Sequence, residues 1–148
     1  MASAALAKRA RDIVMNLELN LLSSKVIEAA ITVHSELGPG LLESVYSDCM
    51  VVELRDMHLD VRAEVPLPVF YRGRKIAEDG FRLDLLIEDK IIVELKSLEH
   101  IQPVHQKQLL TYLRLANKPL GLLLNFNEPL LRDGITRIIN QKRKEEPA

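Results

Sequence analysis

The chain has 148 residues with 20 basic and 21 acidic side chains, a formal net charge of −1. That balance argues against holding nucleic acid through a broad positive field and leaves room only for local contacts. The single cysteine excludes an internal disulfide framework and a CxxC zinc or redox site. No apolar run approaches the roughly 18 residues of a membrane span, and the first sixteen residues lack the apolar block of a secretory signal. These features predict a soluble cytoplasmic protein of one domain, with no membrane partner.

Residues 1–19 are expected to form a mobile extension, 20–140 a single domain, and 141–148 a charged tail. Ser23 and Ser24 suit the start of a first helix. Val26, Ala30, Val33 and Leu37 follow on one helical face, and Gly38-Pro39-Gly40 stops the helix. A second helix is predicted from Leu41 to near Asp56, with Leu42, Val45, Cys49 and Val52 as its apolar stripe.

The pattern then changes from helical to extended. Asp60–Val65 predicts a strand, and Pro66-Leu67-Pro68 puts a further run, Val69–Tyr71, at an edge or bend. After a turn at Arg72-Gly73-Arg74, the residues Phe81, Leu83, Leu85 and Ile87 alternate with Arg82, Asp84 and Leu86, as in a strand with one favoured apolar face. Ile91–Lys96 is almost continuously apolar and predicts a central strand covered on both sides. Pro103 opens a helix reaching about Asn117, Leu120–Phe126 is a buried strand, and Leu130–Asn140 is expected to close the chain as a helix. The sum is an α/β fold, a mixed sheet flanked by helices.

Two acids and a lysine on neighbouring strands carry the chemistry. Glu94 and Lys96 are two apart and share a strand face. If Ile87 pairs with Ile91 around a three-residue turn, Asp84 stands opposite Glu94 on that same face. A two-residue turn at Asp89-Lys90 would shift the register by one and point Asp84 away. Opposed carboxylates can share a hard divalent cation, and Lys96 can orient a water or meet phosphate oxygens. Two like charges in a covered strand are costly without a counterion, whereas on a solvated face they would be an ordinary salt-bridge surface.

Glu43 and Tyr46 lie one turn apart on the second helix. There a first-turn glutamate also gains from the helix dipole, and a tyrosine is more often a core-edge residue. His105, Gln108 and Tyr112 share a face of the helix that follows the central strand, with Gln108 able to hold a phosphate or Lys96. No aromatic platform for bases is evident.

Together, Val33-His34-Ser35-Glu36-Leu37-Gly38-Pro39-Gly40-Leu41-Leu42-Glu43-Ser44-Val45-Tyr46, Val65–Val69, Asp84-Leu85-Leu86, Ile92-Val93-Glu94-Leu95-Lys96, Gln108-Leu109-Leu110-Thr111-Tyr112-Leu113 and Gly121–Phe126 resemble the GxxExxY proteins of the PD-(D/E)XK nuclease superfamily. The resemblance implies a restriction-endonuclease-like core with helices on both sides of a mixed sheet. It implies that Asp84, Glu94 and Glu43 bind Mg²⁺ or Mn²⁺ and that Lys96 serves the attacking water. Gln108 and Tyr112 match the Gln-x-x-x-Tyr motif of the RecB-like branch, so Glu43, Asp84, Glu94, Lys96 and Gln108 are the catalytic candidates. Tyr112, His105 and Tyr46 are the candidates for substrate contact. Leu83 stands where the superfamily's nominal proline precedes the first acid. The implied activity is metal-dependent hydrolysis of nucleic acid, DNA before RNA, and because so small a core needs a partner or second copy to clamp DNA, a homodimer or larger complex is expected. The alternative is a non-catalytic module of the same fold for nucleic-acid binding or protein assembly.

Overall fold

The structure, a computed structural model, describes residues 3–144, without the side chains of residues 78 and 79. The first helix, α1, spans Ser3–Leu37 and so begins twenty residues before Ser23. Ser23 and Ser24 are not caps. Both hydroxyls donate to the Asn20 carbonyl inside the helix, at 3.1 and 2.9 Å. The reason is local. No glycine or proline stands before Gly38, the early residues are strong helix formers, and Leu19 extends the buried stripe Val26, Ala29, Ala30 and Val33 backwards onto the core. The helix stops at the Gly38-Pro39-Gly40 turn as expected, where Gly38 and Gly40 take φ of 70° and 98°. Residues 1–2 and 145–148, the outer ends of the expected extension and tail, lie outside the described residues.

The second helix, α2, spans Glu43–Asp56 and buries Tyr46, Met50 and Leu54. The expected stripe is one residue out of phase: Leu42, Val45 and Val52 are exposed and Cys49 is half-buried. A tertiary contact selects the face, because the Tyr46 ring stacks on Phe126 at 4.4 Å and 17°.

Among the described residues five strands form one sheet in the order β1-β2-β3-β4-β5. They are β1 Val61–Tyr71, β2 Arg74–Ile87, β3 Ile91–Lys96, β4 Leu120–Asn125 and β5 Ile135–Ile139. The β3–β4 pair is parallel, joined by helix α3, Pro103–Ala116, and the other pairs are antiparallel. The two short runs expected around Pro66 and Pro68 are a single strand, and its edge position tolerates the missing proline donors. The terminal helix expected over Leu130–Asn140 is instead a 3-10 turn, Leu131–Gly134, followed by β5. Leaving fully buried β4 as an open edge would strand its backbone groups, and Ile135, Thr136, Ile138 and Ile139 are β-branched residues suited to pair with it.

The sheet has a different apolar layer on each side. On one, Leu85, Ile87, Ile91, Val93, Leu95, Leu122 and Leu124 pack with α1 and α2. On the other, Leu86, Ile92 and Leu123 meet Leu109, Tyr112 and Leu113 of α3, so β3 is covered on both faces. Gly121 lets α3 approach: a Cβ there would lie 2.9 Å from the Leu109 side chain.

Candidate active site

The β2–β3 hairpin sets the register of the site. Glu88 and Asp89 adopt left-handed φ of 52° and 55° in a three-residue turn. Ile87 then pairs with Ile91, Leu86 with Ile92 and Leu85 with Val93. This is the register in which Asp84 falls opposite Glu94.

At Asp84 the ladder stops. Its carboxylate replaces the strand partner, and the Leu95 N–H donates to Asp84 Oδ2 at 2.8 Å. The β1–β2 ladder is interrupted at the same level, where Glu64 takes φ of 52°. This break changes the expected alternation. Leu85 and Ile87 pack toward α1 and α2, whereas Leu83 packs toward α3 and Phe81 rests against Tyr112 at 5.3 Å.

Glu94, two residues beyond Ile92, lies on the α3 side of β3 and is only 7% exposed. Its Oε1 is buried and has no hydrogen-bond partner among the described residues. Burial pushes the Glu94 carboxyl up to about 9, and Asp84 adds to this by accepting a hydrogen bond from the protonated form and repelling the ionised one. Lys96 acts in the opposite direction but is outweighed. It is half-buried at the end of β3, beside Asn125 of β4.

Tyr112 reaches the same place from α3. It is 7% exposed, and its phenol is pushed up by burial and then by the charges of Glu94 and Asp84. The structure therefore brings together Asp84, Glu94, Lys96 and Tyr112. Gln108 lies one turn earlier on α3 and is exposed. His105 has a structural task that its spacing did not show: its Nδ1 accepts the Gln102 N–H at 2.9 Å in a capping box that starts α3.

Two further candidates lie apart from this group. Tyr46, expected to touch substrate, is fully buried, donates to the Gly38 carbonyl at 2.5 Å and accepts the Leu41 N–H at 3.1 Å. Its hydroxyl clasps the Gly38-Pro39-Gly40 turn and so places the start of α2. Glu43, expected as a third metal ligand, is the exposed first residue of α2. It lines a shallow pocket with Gly40, Leu41, Ser44, Ser97 and Asn127 at the end of β3. Among the described residues no group of three or more His, Cys, Asp or Glu could hold a metal ion.

Two features escaped the sequence reading. Asn125 is fully buried and ties the segment after β3 to β4: its Oδ1 accepts the Leu98 N–H at 3.0 Å and its Nδ2 donates to the Leu98 carbonyl at 2.9 Å. Only its place in an otherwise apolar strand could have drawn attention. The other feature is an arm. Upstream of Leu85, β2 pairs only with β1, and this two-stranded ribbon carries exposed Phe70, Tyr71 and Ile76 together with exposed Arg72, Arg74 and Lys75. Arg72 lies over the Tyr71 ring at 5.3 Å. Two exposed aromatic side chains, Phe70 and Tyr71, therefore stand near the tip of this ribbon.

A family model of the PD-(D/E)XK nuclease superfamily matches residues 20–138. The chain belongs to the PD-(D/E)XK nuclease superfamily. Searches of curated proteins and of solved structures gave no significant match. PD-(D/E)XK nucleases generally use divalent metals, and the residues present fit one. Mg²⁺ is commonly held by one or two carboxylates, with water and substrate phosphate completing its shell. Asp84 and Glu94 supply the carboxylates, and the unpartnered Glu94 Oε1 is an acceptor that a cation would satisfy.

Among the described residues no helix is long and apolar enough to cross a membrane.

Proposed function

We propose that this protein is a metal-dependent nuclease that hydrolyses phosphodiester bonds, with DNA as the preferred substrate. The observation that supports this reading best is the buried Glu94 oxygen, unpartnered beside Asp84. A carboxylate pushed up to about 9 by burial and a neighbouring acid is an arrangement that a packed core would not retain for stability.

In this reading Asp84 and Glu94 hold Mg²⁺ or Mn²⁺, which when bound lowers the pKa of water and offsets charge developing on the phosphate. The Leu95 N–H fixes one Asp84 oxygen and leaves the other for the site. Lys96, on the same strand face as Glu94, holds the attacking water or a phosphate oxygen. Gln108 and Tyr112 line the α3 wall and position the backbone of the nucleic acid. The arm offers cations to phosphates and aromatic faces to bases, a combination suited to unstacked strands. The Gly40, Glu43 and Tyr46 spacing supports placement in the GxxExxY branch. In this fold that motif builds the turn and helix start beside the end of β3, and Glu43 is assigned no step.

The test is incubation of the purified chain with single- and double-stranded DNA and RNA in Mg²⁺ or Mn²⁺. Metal-dependent cleavage is expected, with losses of about 100-fold or more in Asp84→Asn, Glu94→Gln and Lys96→Ala, as for other groups that stabilise developing charge. The second reading, a binding module without catalysis, is favoured by the lack of a third acid at the pair among the described residues. Nucleic-acid binding with no cleavage in either metal would establish it.

A further inference from the structure

Helix α1 has two apolar faces. Leu19, Val26, Ala30 and Val33 are buried against the sheet. The other face carries Leu6, Ile13, Val14, Leu17 and Leu21, which are 62%, 53%, 54%, 58% and 67% exposed. At 3.6 residues per turn these five, with Ala10 among them, lie within about 50° of the direction opposite the buried stripe. An apolar strip about four turns long on a solvent-facing helix marks an interaction surface rather than scattered exposure.

The strip is symmetric about the point between Ile13 and Val14. When a second α1 is laid on it antiparallel, Leu6 of one copy meets Leu21 of the other, Ala10 meets Leu17, and Ile13 and Val14 pack at the centre. The charges choose this direction. Antiparallel packing sets Arg11 of one copy beside Glu18 of the other, twice by symmetry. Parallel packing sets Arg9 beside Arg11 and leaves Glu18 beside asparagines. All three charged residues are exposed at the margins of the strip, where Arg11 and Glu18 also border a cleft shared with Glu88, Asp89 and Lys118.

We propose that the protein forms a homodimer through antiparallel pairing of α1 with α1 of a second copy, centred on Ile13 and Val14. The seam lies on the side of α1 away from the sheet, so the two domains sit outside it and the acidic pair on the α3 face stays open. This inference does not depend on the nuclease reading.

Sedimentation of the full chain over a range of micromolar concentrations tests it. A reversible monomer–dimer equilibrium is expected, together with a monomeric Leu17→Glu whose far-ultraviolet circular dichroism is unchanged. Arg11→Glu and Glu18→Arg should each weaken the dimer about fivefold, as expected for two reversed flanking pairs, and the double reversal should restore it. A chain that stays monomeric throughout, or a dimer indifferent to Leu17→Glu, overturns the proposal. A double reversal no tighter than the single ones overturns the antiparallel arrangement.

Discussion

Replacing Glu94 by glutamine should make the protein more stable at neutral pH while abolishing its proposed chemistry. The buried Glu94 carboxyl lies at about 9 in the folded chain against 4.5 for a free glutamate, so folding takes up a proton between those values. The contribution is fully present below about pH 4.5 and is lost as pH rises toward 9. The slope is about 1.4 kcal/mol per pH unit for one proton. Between pH 4.5 and 7.5 the loss is therefore on the order of 4 kcal/mol, a large part of the ~5–15 kcal/mol that holds a domain together. Glutamine keeps the shape and a donor toward Asp84 but does not ionise. Urea denaturation of both proteins in metal-free buffer from pH 5 to 8 reads the difference. Titrating groups that do not interact with Glu94 cancel in the comparison, and the coupling to Asp84 is part of what it reads. The curves should converge near pH 5, and Glu94→Gln should lead by about 2–4 kcal/mol at pH 7.5. Parallel curves with no growing gap would refute the account of Glu94 as an acid held neutral by burial and by Asp84.

Other outcomes follow from the same contacts. Mg²⁺ or Mn²⁺ at about 100 times its dissociation constant should stabilise the wild-type chain by about 2.7 kcal/mol, read as a rise in melting temperature that is absent in Asp84→Asn. No rise in the wild-type chain with either ion would remove the metal site. Tyr46→Phe keeps the stack on Phe126 but strips the clasp from Gly38 and Leu41. It should cost about 1–3 kcal/mol in urea denaturation, with the circular dichroism of the folded state unchanged. Asn125→Ala leaves both backbone groups of Leu98 without their partner. A loss of about 2–4 kcal/mol is expected, along with faster amide exchange in the segment between β3 and α3; exchange equal to wild type would show that Asn125 does not tether it.

Local chemistry determined much of this molecule. The run Ile91–Leu95, apolar except for Glu94, pointed to a strand covered on both sides, and Gly38-Pro39-Gly40 pointed to a helix end. The sequence allowed a two- or a three-residue turn before Ile91, and the three-residue turn in the structure puts Asp84 level with Glu94. Asp84, Glu94, Lys96 and Tyr112 were accordingly candidates from the sequence, with the register of the hairpin left for the fold to decide.

What needed the tertiary structure were choices between locally equivalent options. Both stripes of α2 have helical spacing, and Phe126, eighty residues beyond Tyr46, decides between them. The last segment can follow a helical or an extended pattern, and the open edge of β4 makes it a strand. The resemblance assigned three acids to one cation, and the packing leaves Glu43 exposed at the start of α2 while Glu94 is buried on the α3 side of β3. Spacing along a chain reports which face a side chain takes, but dielectric, desolvation and the company of other charges come from residues far away in sequence, and these set the behaviour of Glu94.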